Sequence, residues 1–259
     1  MKDNTKNHIK VLCIQFEPKY KDVKSNISHL EQMLSKYSEK DDIDIIVFPE
    51  MALSGYIFDN AQDIQPYMSL YNQGEQYEFV SNLSKRLKCY SFLGYAEVTQ
   101  KGHYYNSCFI ITPEGESLPS YRKHFLYTDD ERWSLEGKNF GYIEITTKKG
   151  IQLKLGIGIC MDINPYKFKS PFKKMEFANH CLNKNVDLII IGWKEWNHIK
   201  KKNSKNKKNV YMLCANRIGK EKTTTFHGCS CIMKIAPDFE VIAGAGLKEE
   251  AIVEATLNL

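Results

Sequence analysis

The chain has 259 residues, of which 42% are hydrophobic and 26% are charged, with 15 Gly and 8 Pro. This composition excludes disordered and collagen-like chains, and the length suits one domain with a full core. The net charge of +5 depends on residues 200–208, KKKNSKNKK, without which 30 basic residues face 31 acidic ones. We therefore predict a single domain over 1–259 with a solvated Lys/Asn-rich surface loop at 200–209, and no nucleic-acid partner.

The first residues, MKDNTKNHIK, do not form a signal peptide, and no apolar stretch approaches the ~20 residues of a membrane-spanning helix. The sequence thus predicts a soluble cytoplasmic protein without a membrane partner. Such a chain keeps its eight cysteines reduced, and none of them has zinc-site spacing, so we expect no metal. Seven of them are expected in the core: Cys13, Cys89, Cys108, Cys181, Cys214, Cys229 and Cys231.

Nine apolar runs have strand character, and several are continuous, which is typical of strands buried on both faces. They cover residues 9–16, 42–48, 90–98, 107–112, 154–159, 186–193, 210–215, 229–235 and 251–257. Apolar residues at helical spacing predict helices over 23–37, 77–87 and 172–182. Because strand and helix alternate early and the last third is mostly strand, the pattern predicts an α/β fold with a mixed sheet system.

Three reactive side chains stand near the ends of apolar strands. Glu50 follows IIVFP, Lys123 lies in YRKHFL, and Cys160 ends the glycine-containing run LKLGIGI. Taken alone, each residue could have an ordinary structural role: Glu50 as a paired strand terminus, Lys123 as a solvated surface charge and Cys160 as a core cysteine. A carboxylate at the end of a buried strand is unfavourable unless it is paired or used, and the turn after Cys160 can aim backbone N–H groups at one point.

In this order the three residues resemble the Glu–Lys–Cys triad of the nitrilase (carbon–nitrogen hydrolase) superfamily. The matching segments are FPEMALSGY, YRKHFL, GIGICMD, ANRIG (215–219) and FHGCSCI (226–232). The resemblance implies a four-layer α-β-β-α sandwich, usually a homodimer or larger. Through CMDINPYKF and LYTDDERW the chain is most similar to the eukaryotic protein N-terminal asparagine/glutamine amidohydrolases. These enzymes deamidate N-terminal Asn or Gln and feed N-degron-directed degradation.

The resemblance also implies the role of each residue. Cys160 attacks the carboxamide carbon of the substrate and forms a thioester, while Glu50 takes the thiol proton, delivers it to ammonia and then activates water. Lys123 is expected to lower the pKa of the Cys160 thiol and, with the backbone N–H of Met161, to hold the oxyanion. Glu131, in ERWSLEG, is expected to orient Lys123 or the substrate. No metal or cofactor is implied.

The N-terminal segment of the substrate needs further partners. We expect Asp162, next to the nucleophile, to bind the free α-amine, although capping of the following turn is the alternative. Tyr166 and Trp193 are candidates for the pocket wall, with core packing as the alternative for both. After GWKEWN (192–197), where relatives usually have a longer helical stretch, this chain has only the Lys/Asn loop. This departure affects a pocket wall and any helix-mediated dimer contact.

Three other functions stay open from the sequence. One is an amidase for small ω-amides or carbamoyl compounds, although such enzymes usually have other residues after the cysteine than M-D-x-N-P-Y-x-F. Another is a catalytically silent scaffold, which the intact triad residues disfavour. The last is nucleic-acid binding through residues 200–208, which would show a steep dependence on salt.

Overall fold

Two six-stranded sheets lie face to face in the computed structural model, which describes residues 8–192 and 208–259. The first sheet has the order β14-β1-β2-β3-β4-β5 and consists of β1 (His8–Gln15), β2 (Ile45–Val47), β3 (Tyr90–Val98), β4 (Tyr104–Ile111), β5 (Ser117–Arg122) and β14 (Ala251–Asn258). The second has the order β13-β12-β9-β8-β7-β6 and consists of β6 (Gly141–Thr146), β7 (Gln152–Ile159), β8 (Leu188–Gly192), β9 (Val210–Ala215), β12 (Cys231–Ala236) and β13 (Glu240–Gly244). A separate hairpin pairs β10 (Ile218–Glu221) with β11 (Thr224–His227).

Each sheet has three parallel strands at its centre. In the first sheet β2 pairs with both β1 and β3, and in the second β8 pairs with both β7 and β9. Side chains from both inner faces fill the space between the sheets, among them Val47, Ile157 and Ile190. Because the carboxyl ends of parallel strands share one edge, the segments that follow these strands are brought together there.

Helices cover the two outer faces. Helices α1 (Val23–Met33) and α3 (Glu75–Leu87) flank the first sheet, α4 (Glu176–Asn183) flanks the second, and the short α2 (Ala61–Ile64) lies in a connection. Leu30 of α1 and Val80 and Leu83 of α3 pack on the outer face of the first sheet, as Phe177 of α4 does on the second. This is the predicted four-layer α-β-β-α sandwich. No helix within the described ranges has the length and apolarity to span a lipid bilayer.

The predicted elements are largely present, and two of the three predicted helices are shorter than the periodicity indicated. Helix α1 ends at Met33, and the helical stretch predicted from 172 begins only at Glu176, after a short 3-10 turn. Leu182, predicted on the apolar face of that helix, is 67% exposed. Cys229 is also exposed and Cys231 only half-buried, so the expectation that both are core cysteines is wrong.

Candidate active site

The structure brings Glu50, Lys123 and Cys160 together between the two sheets. Glu50 follows β2, Lys123 follows β5, and Cys160 follows β7. The Lys123 Nζ atom donates a hydrogen bond to Glu50 Oε1 at 2.6 Å, and the Lys123 side chain is completely buried. The Cys160 thiol is close enough for both charges to act on its pKa. The three candidates therefore form one buried cluster.

Glycines from both sheets make room for the backbone at Glu50. A Cβ atom at Gly94 of β3 would lie 2.7 Å from Glu50 Cα and 2.6 Å from the carbonyl oxygen of Pro49. A Cβ atom at Gly192 of β8 would lie 2.9 Å from the Glu50 backbone nitrogen. Because backbone atoms cannot move aside as a flexible side chain can, both positions need the absence of a side chain. Neither glycine was predicted from the sequence to be part of the site.

Asp130 is the second carboxylate at Lys123. Asp130 Oδ2 accepts a hydrogen bond from Lys123 Nζ at 2.6 Å, and the Asp130 side chain is fully buried. The expectation that Glu131 orients Lys123 is therefore wrong. Glu131 is exposed and pairs with Lys167 at 2.7 Å, because the 3-10 turn Asp130–Arg132 directs neighbouring acids to opposite sides. Asp130 and Glu131 are adjacent acids in the sequence, and only the direction of this turn decides which of them faces Lys123.

Asn106 of β4 connects the two carboxylates. Its Nδ2 atom donates to Glu50 Oε1 at 2.7 Å and to Asp130 Oδ1 at 3.0 Å. One ammonium and one carboxamide thus hold both acids in place. Asn106 directly precedes the apolar run at 107–112, and a polar residue at the start of a buried strand was the available signal for it.

Cys160 sits at a sharp turn between strand and 3-10 helix. Strand β7 ends at Ile159, the 3-10 turn Cys160–Ile163 follows, and Cys160 itself has φ of 43°. This left-handed backbone conformation is unfavourable for a residue with a Cβ atom and is found where the surrounding structure enforces it, often at functional sites. Met161, whose backbone N–H was the expected oxyanion donor, is the next residue and is buried.

Asp162 is a structural carboxylate and does not face the substrate. Its two oxygens accept hydrogen bonds from the Tyr121 hydroxyl at 2.6 Å and from three backbone N–H groups. The N–H donors belong to Ile159 at 2.7 Å, Phe125 at 2.7 Å and His124 at 3.1 Å. Because the side chain is fully buried and its lone pairs are occupied, the expectation that Asp162 binds an α-amine is wrong. Asp162 instead ties the Cys160 turn to the segment after Lys123.

Tyr166 lies at the surface, and Trp193, the other candidate for the pocket wall, falls outside the described residues. The Tyr166 ring packs on Phe125 with 4.9 Å between centroids, and its hydroxyl donates to Glu136. The Lys/Asn-rich loop at 200–209 also falls almost entirely outside the described residues.

Tyr56 also belongs to this centre, although it was not predicted from the sequence as a site residue. The Lys123 Nζ atom is 5.8 Å from the centroid of its ring. Within the described part of the chain, the buried Tyr56 hydroxyl has no hydrogen-bond partner, and the same holds for Asn106 Oδ1. The backbone N–H groups of Tyr56 and Ile57 donate to Glu221 Oε2 at 2.8 and 3.0 Å. Glu221 in turn forms a buried ion pair with Arg217.

Burial dominates the protonation of the centre. It raises the pKa of the Cys160 thiol, the charge of Glu50 raises it further, and Lys123 opposes both without overcoming them. Burial also raises the pKa of Glu50, against the charge of Lys123. For Lys123, burial alone would lower the pKa, but Asp130 and Glu50 outweigh it and hold that pKa well above its usual value. Lys123 thus lowers the pKa of the Cys160 thiol as expected, but burial and the charge of Glu50 outweigh it, so the net shift of that pKa is upward.

No group of three or more His, Cys, Asp or Glu side chains within 8–192 and 208–259 is arranged to hold a metal ion. The chemistry available from these residues is that of a thiol next to a carboxylate base and a fixed cation. Such a set can form and hydrolyse a thioester.

The chain matches one protein family and is similar to three known proteins, two by sequence and one by structure. Residues 10–259 match the sequence profile of the carbon-nitrogen hydrolase family. The protein N-terminal amidase of Schizosaccharomyces pombe is 34% identical over 90% of this chain and 93% of its own length. The protein N-terminal amidase of Saccharomyces cerevisiae is 33% identical over 81% of this chain, which spans half of that protein. A crystal structure of N-terminal amidase with an Asn-Glu peptide shares the fold, with a TM-score of 0.84, 21% identity and coverage of 96% and 99% of the two chains.

Proposed function

Since the chain belongs to the carbon–nitrogen hydrolase family, as its motifs predicted, we propose that it hydrolyses the side-chain amide of an N-terminal Asn in proteins and peptides. An N-terminal Gln is the second substrate of the same reaction. The products are an N-terminal Asp or Glu and ammonia. Similarity to the S. pombe protein N-terminal amidase over nearly the whole of both chains supports this choice of substrate.

The first half of the reaction forms a thioester. Glu50 takes the proton of the Cys160 thiol as the sulfur attacks the carboxamide carbon, so that a C–S bond forms and the carbonyl oxygen becomes an oxyanion. Lys123 Nζ and the backbone N–H of Met161 stabilise this oxyanion. The C–N bond then breaks, and Glu50 returns the proton to the departing nitrogen, which leaves as ammonia.

The second half returns the enzyme to its starting state. Glu50 takes a proton from water, and the resulting hydroxide attacks the thioester carbon. The C–S bond breaks, the sulfur regains the proton from Glu50, and the carboxylic acid product is released. Glu50 thus acts as base and acid in both halves, which its raised pKa favours because its two protonation states then lie closer in energy near neutral pH.

Asp130 and Asn106 support these steps without touching the reacting atoms. Asp130 keeps the buried Lys123 charged while Glu50, the other carboxylate partner of Lys123, gains and loses protons during the reaction. Asn106 fixes the Glu50 oxygen that also contacts Lys123. We assign both as positioning residues.

One observation carries the proposal: the buried Glu50–Lys123–Asp130 network with Cys160 held beside it in a left-handed turn. A scaffold without activity gains nothing from this arrangement, because buried charges and a strained backbone both reduce stability. The arrangement therefore favours an enzyme over the silent alternative.

Ammonia release from synthetic peptides tests the proposal. We expect release from peptides that begin with Asn or Gln, no release from the same peptides after N-terminal acetylation, and none with the Cys160→Ala variant. Release from free glutamine analogues but not from peptides would contradict the proposal and favour the small-amide alternative. No release from any amide, with Cys160 inert to alkylation, would favour the silent scaffold.

Cytoplasmic location and self-association as a homodimer are part of the same proposal. The family resemblance supports the homodimer, and an enzyme that acts on the N-termini of cytoplasmic proteins would share their compartment. Sedimentation velocity measures self-association, and fractionation of cells with an antibody against the chain measures location.

A further inference from the structure

A group of exposed aromatic side chains lies on the two segments that carry the candidate catalytic residues. Tyr127, Tyr166 and Phe168 are 40%, 37% and 58% exposed, and together we call them the aromatic rim. The Tyr127 and Phe168 rings contact edge to face, with 6.4 Å between centroids. Large aromatic side chains that share one exposed surface indicate an interaction site more often than scattered apolar residues do.

The aromatic rim is directly connected to the catalytic centre. The Tyr127 backbone N–H donates to Asp130 Oδ2 at 2.9 Å, and this carboxylate oxygen also accepts from Lys123. On the other segment, Tyr166 and Phe168 follow Cys160 after the turn that ends at Ile163. The ion pair between Lys167 and Glu131 joins the two segments at the surface, one residue away from the buried Asp130. The aromatic rim therefore belongs to the same two segments that place Lys123, Asp130 and Cys160 in the centre.

The backbone holds Phe168 outward in an unfavourable conformation. Lys167 and Phe168 are consecutive residues with φ of 51° and 55°, although neither is glycine. Such conformations persist where the surrounding structure enforces them, and they concentrate at functional sites. Folding stability does not explain this arrangement of Phe168. Neither its left-handed backbone conformation nor its exposed ring stabilises the chain.

We propose that the aromatic rim binds the side chains of the residues that follow the N-terminal residue of a polypeptide substrate, with preference for apolar ones. This inference rests on the proposed function, because only a polypeptide substrate continues beyond the pocket. Rings of Tyr and Phe provide large contact areas with few rotatable bonds, so binding apolar side chains there loses little conformational entropy. The rim is the continuation of the catalytic pocket along the substrate.

Substitution of Phe168 tests the proposal on matched peptides. The two peptides are Asn-Leu-Leu-Gly and Asn-Gly-Gly-Gly, and the measured quantity is kcat/KM for ammonia release. We expect Phe168→Ala to lower kcat/KM about tenfold for the leucine peptide, through KM, and to change it less than about twofold for the glycine peptide. Phe168→Leu, which keeps an apolar side chain, should restore most of the loss.

Phe239→Ala is the matched control, because Phe239 is 52% exposed and lies at the remote β12–β13 connection. This control should leave kcat/KM unchanged for both peptides. Equal losses on both peptides with Phe168→Ala, or no loss on either, would overturn the inference while the proposed function stands. Loss of self-association without a change in peptide preference would also overturn it, by making a second copy the occupant. If the unchanged protein deamidates no peptide, the proposed function itself fails.

Discussion

The ammonium of Lys123 is fully buried, and its two carboxylate partners differ in their exposure. Glu50 is 12% exposed at its side chain and can exchange a proton with substrate, whereas Asp130 is completely buried. A buried cation with one partner lost leaves an uncompensated charge, which is strongly unfavourable. Asp130 is therefore the permanent partner of Lys123, and Glu50 is the partner that transfers protons.

We expect Asp130→Asn to lower kcat by at least about 100-fold, because Lys123 then shifts toward Glu50 and both the base and the oxyanion donor are misplaced. Glu131→Gln should retain at least about half of the activity, since Glu131 is 41% exposed at its side chain and contacts only Lys167 among the acids and bases described. Steady-state ammonia release measures both. A loss with Glu131→Gln as large as that with Asp130→Asn would restore the role that the sequence suggested for Glu131.

The pH profile depends on the protonation of Glu50. Glu50 must be ionised to take the thiol proton, so activity is lost as the pH falls through its pKa, which burial raises and Lys123 and Asn106 counteract. Asn106→Ala removes a hydrogen bond that favours the ionised form, so the pKa of Glu50 should rise further. We therefore expect the acid side of the kcat/KM profile to move to higher pH. Ser107→Ala, which changes the next residue of β4 and its bond to Glu97, should leave the profile in place.

At the scale of single elements, close packing of backbone atoms determines the position of the loop that carries Glu50. Gly94→Ala places a methyl group 2.7 Å from Glu50 Cα, so β3 and the loop must separate. We expect a loss of about 1–3 kcal/mol in the free energy of unfolding and a fall in kcat, measured by urea denaturation and ammonia release. Gly244→Ala in β13 is the control, since its nearest neighbours are 3.6 Å away and it should be nearly neutral. Equal stability of both variants would refute this packing argument.

The Cys160 turn is likewise held by one side chain. Asp162→Asn replaces an acceptor of three N–H bonds and one hydroxyl by a group that offers only one acceptor oxygen. We expect unfolding to become easier by about 2–4 kcal/mol and kcat to fall equally for peptide and small amide substrates. A selective loss on peptides with a free N-terminus would instead return Asp162 to the substrate-binding role. Asp238→Asn, at an exposed turn, should change neither quantity.

Most of the architecture followed from local patterns, because continuous apolar runs and helical spacing reflect burial directly. Strand β3 was predicted at its observed bounds, and α3 begins two residues before the predicted span. Strands such as β5 and β13 were missed, since their alternating and half-exposed residues carry a weak signal. At the site, strand-end positions marked Glu50, Lys123 and Cys160 as candidates, and only their resemblance to the Glu–Lys–Cys triad of the family joined them into one site. Asp130 and Tyr56 were not predicted, because their places depend on a turn direction and on a contact from the far end of the chain.

That distant contact joins the two halves of the molecule. Glu221, in the hairpin after β9, accepts the backbone N–H groups of Tyr56 and Ile57 from the loop after β2, and it pairs with the buried Arg217. The Arg217 guanidinium also lies 4.6 Å from the centroid of Phe226, against which the Tyr56 ring packs edge to face. The wall of the site beside Lys123 is therefore assembled only when both sheets are in place.

We expect Arg217→Met and Glu221→Met each to reduce the free energy of unfolding by about 3–5 kcal/mol, because each leaves one buried charge without its partner. The double variant should lose less than the sum of the two, by at least about 1 kcal/mol, since it removes both charges together. Activity should not recover in the double variant, because the N–H groups of Tyr56 and Ile57 still lack their acceptor. Urea unfolding and kcat/KM on one Asn peptide measure the two effects separately. Strict additivity of the stability changes would show that Arg217 and Glu221 do not stabilise each other, and full activity of the double variant would remove Tyr56 from the wall of the site.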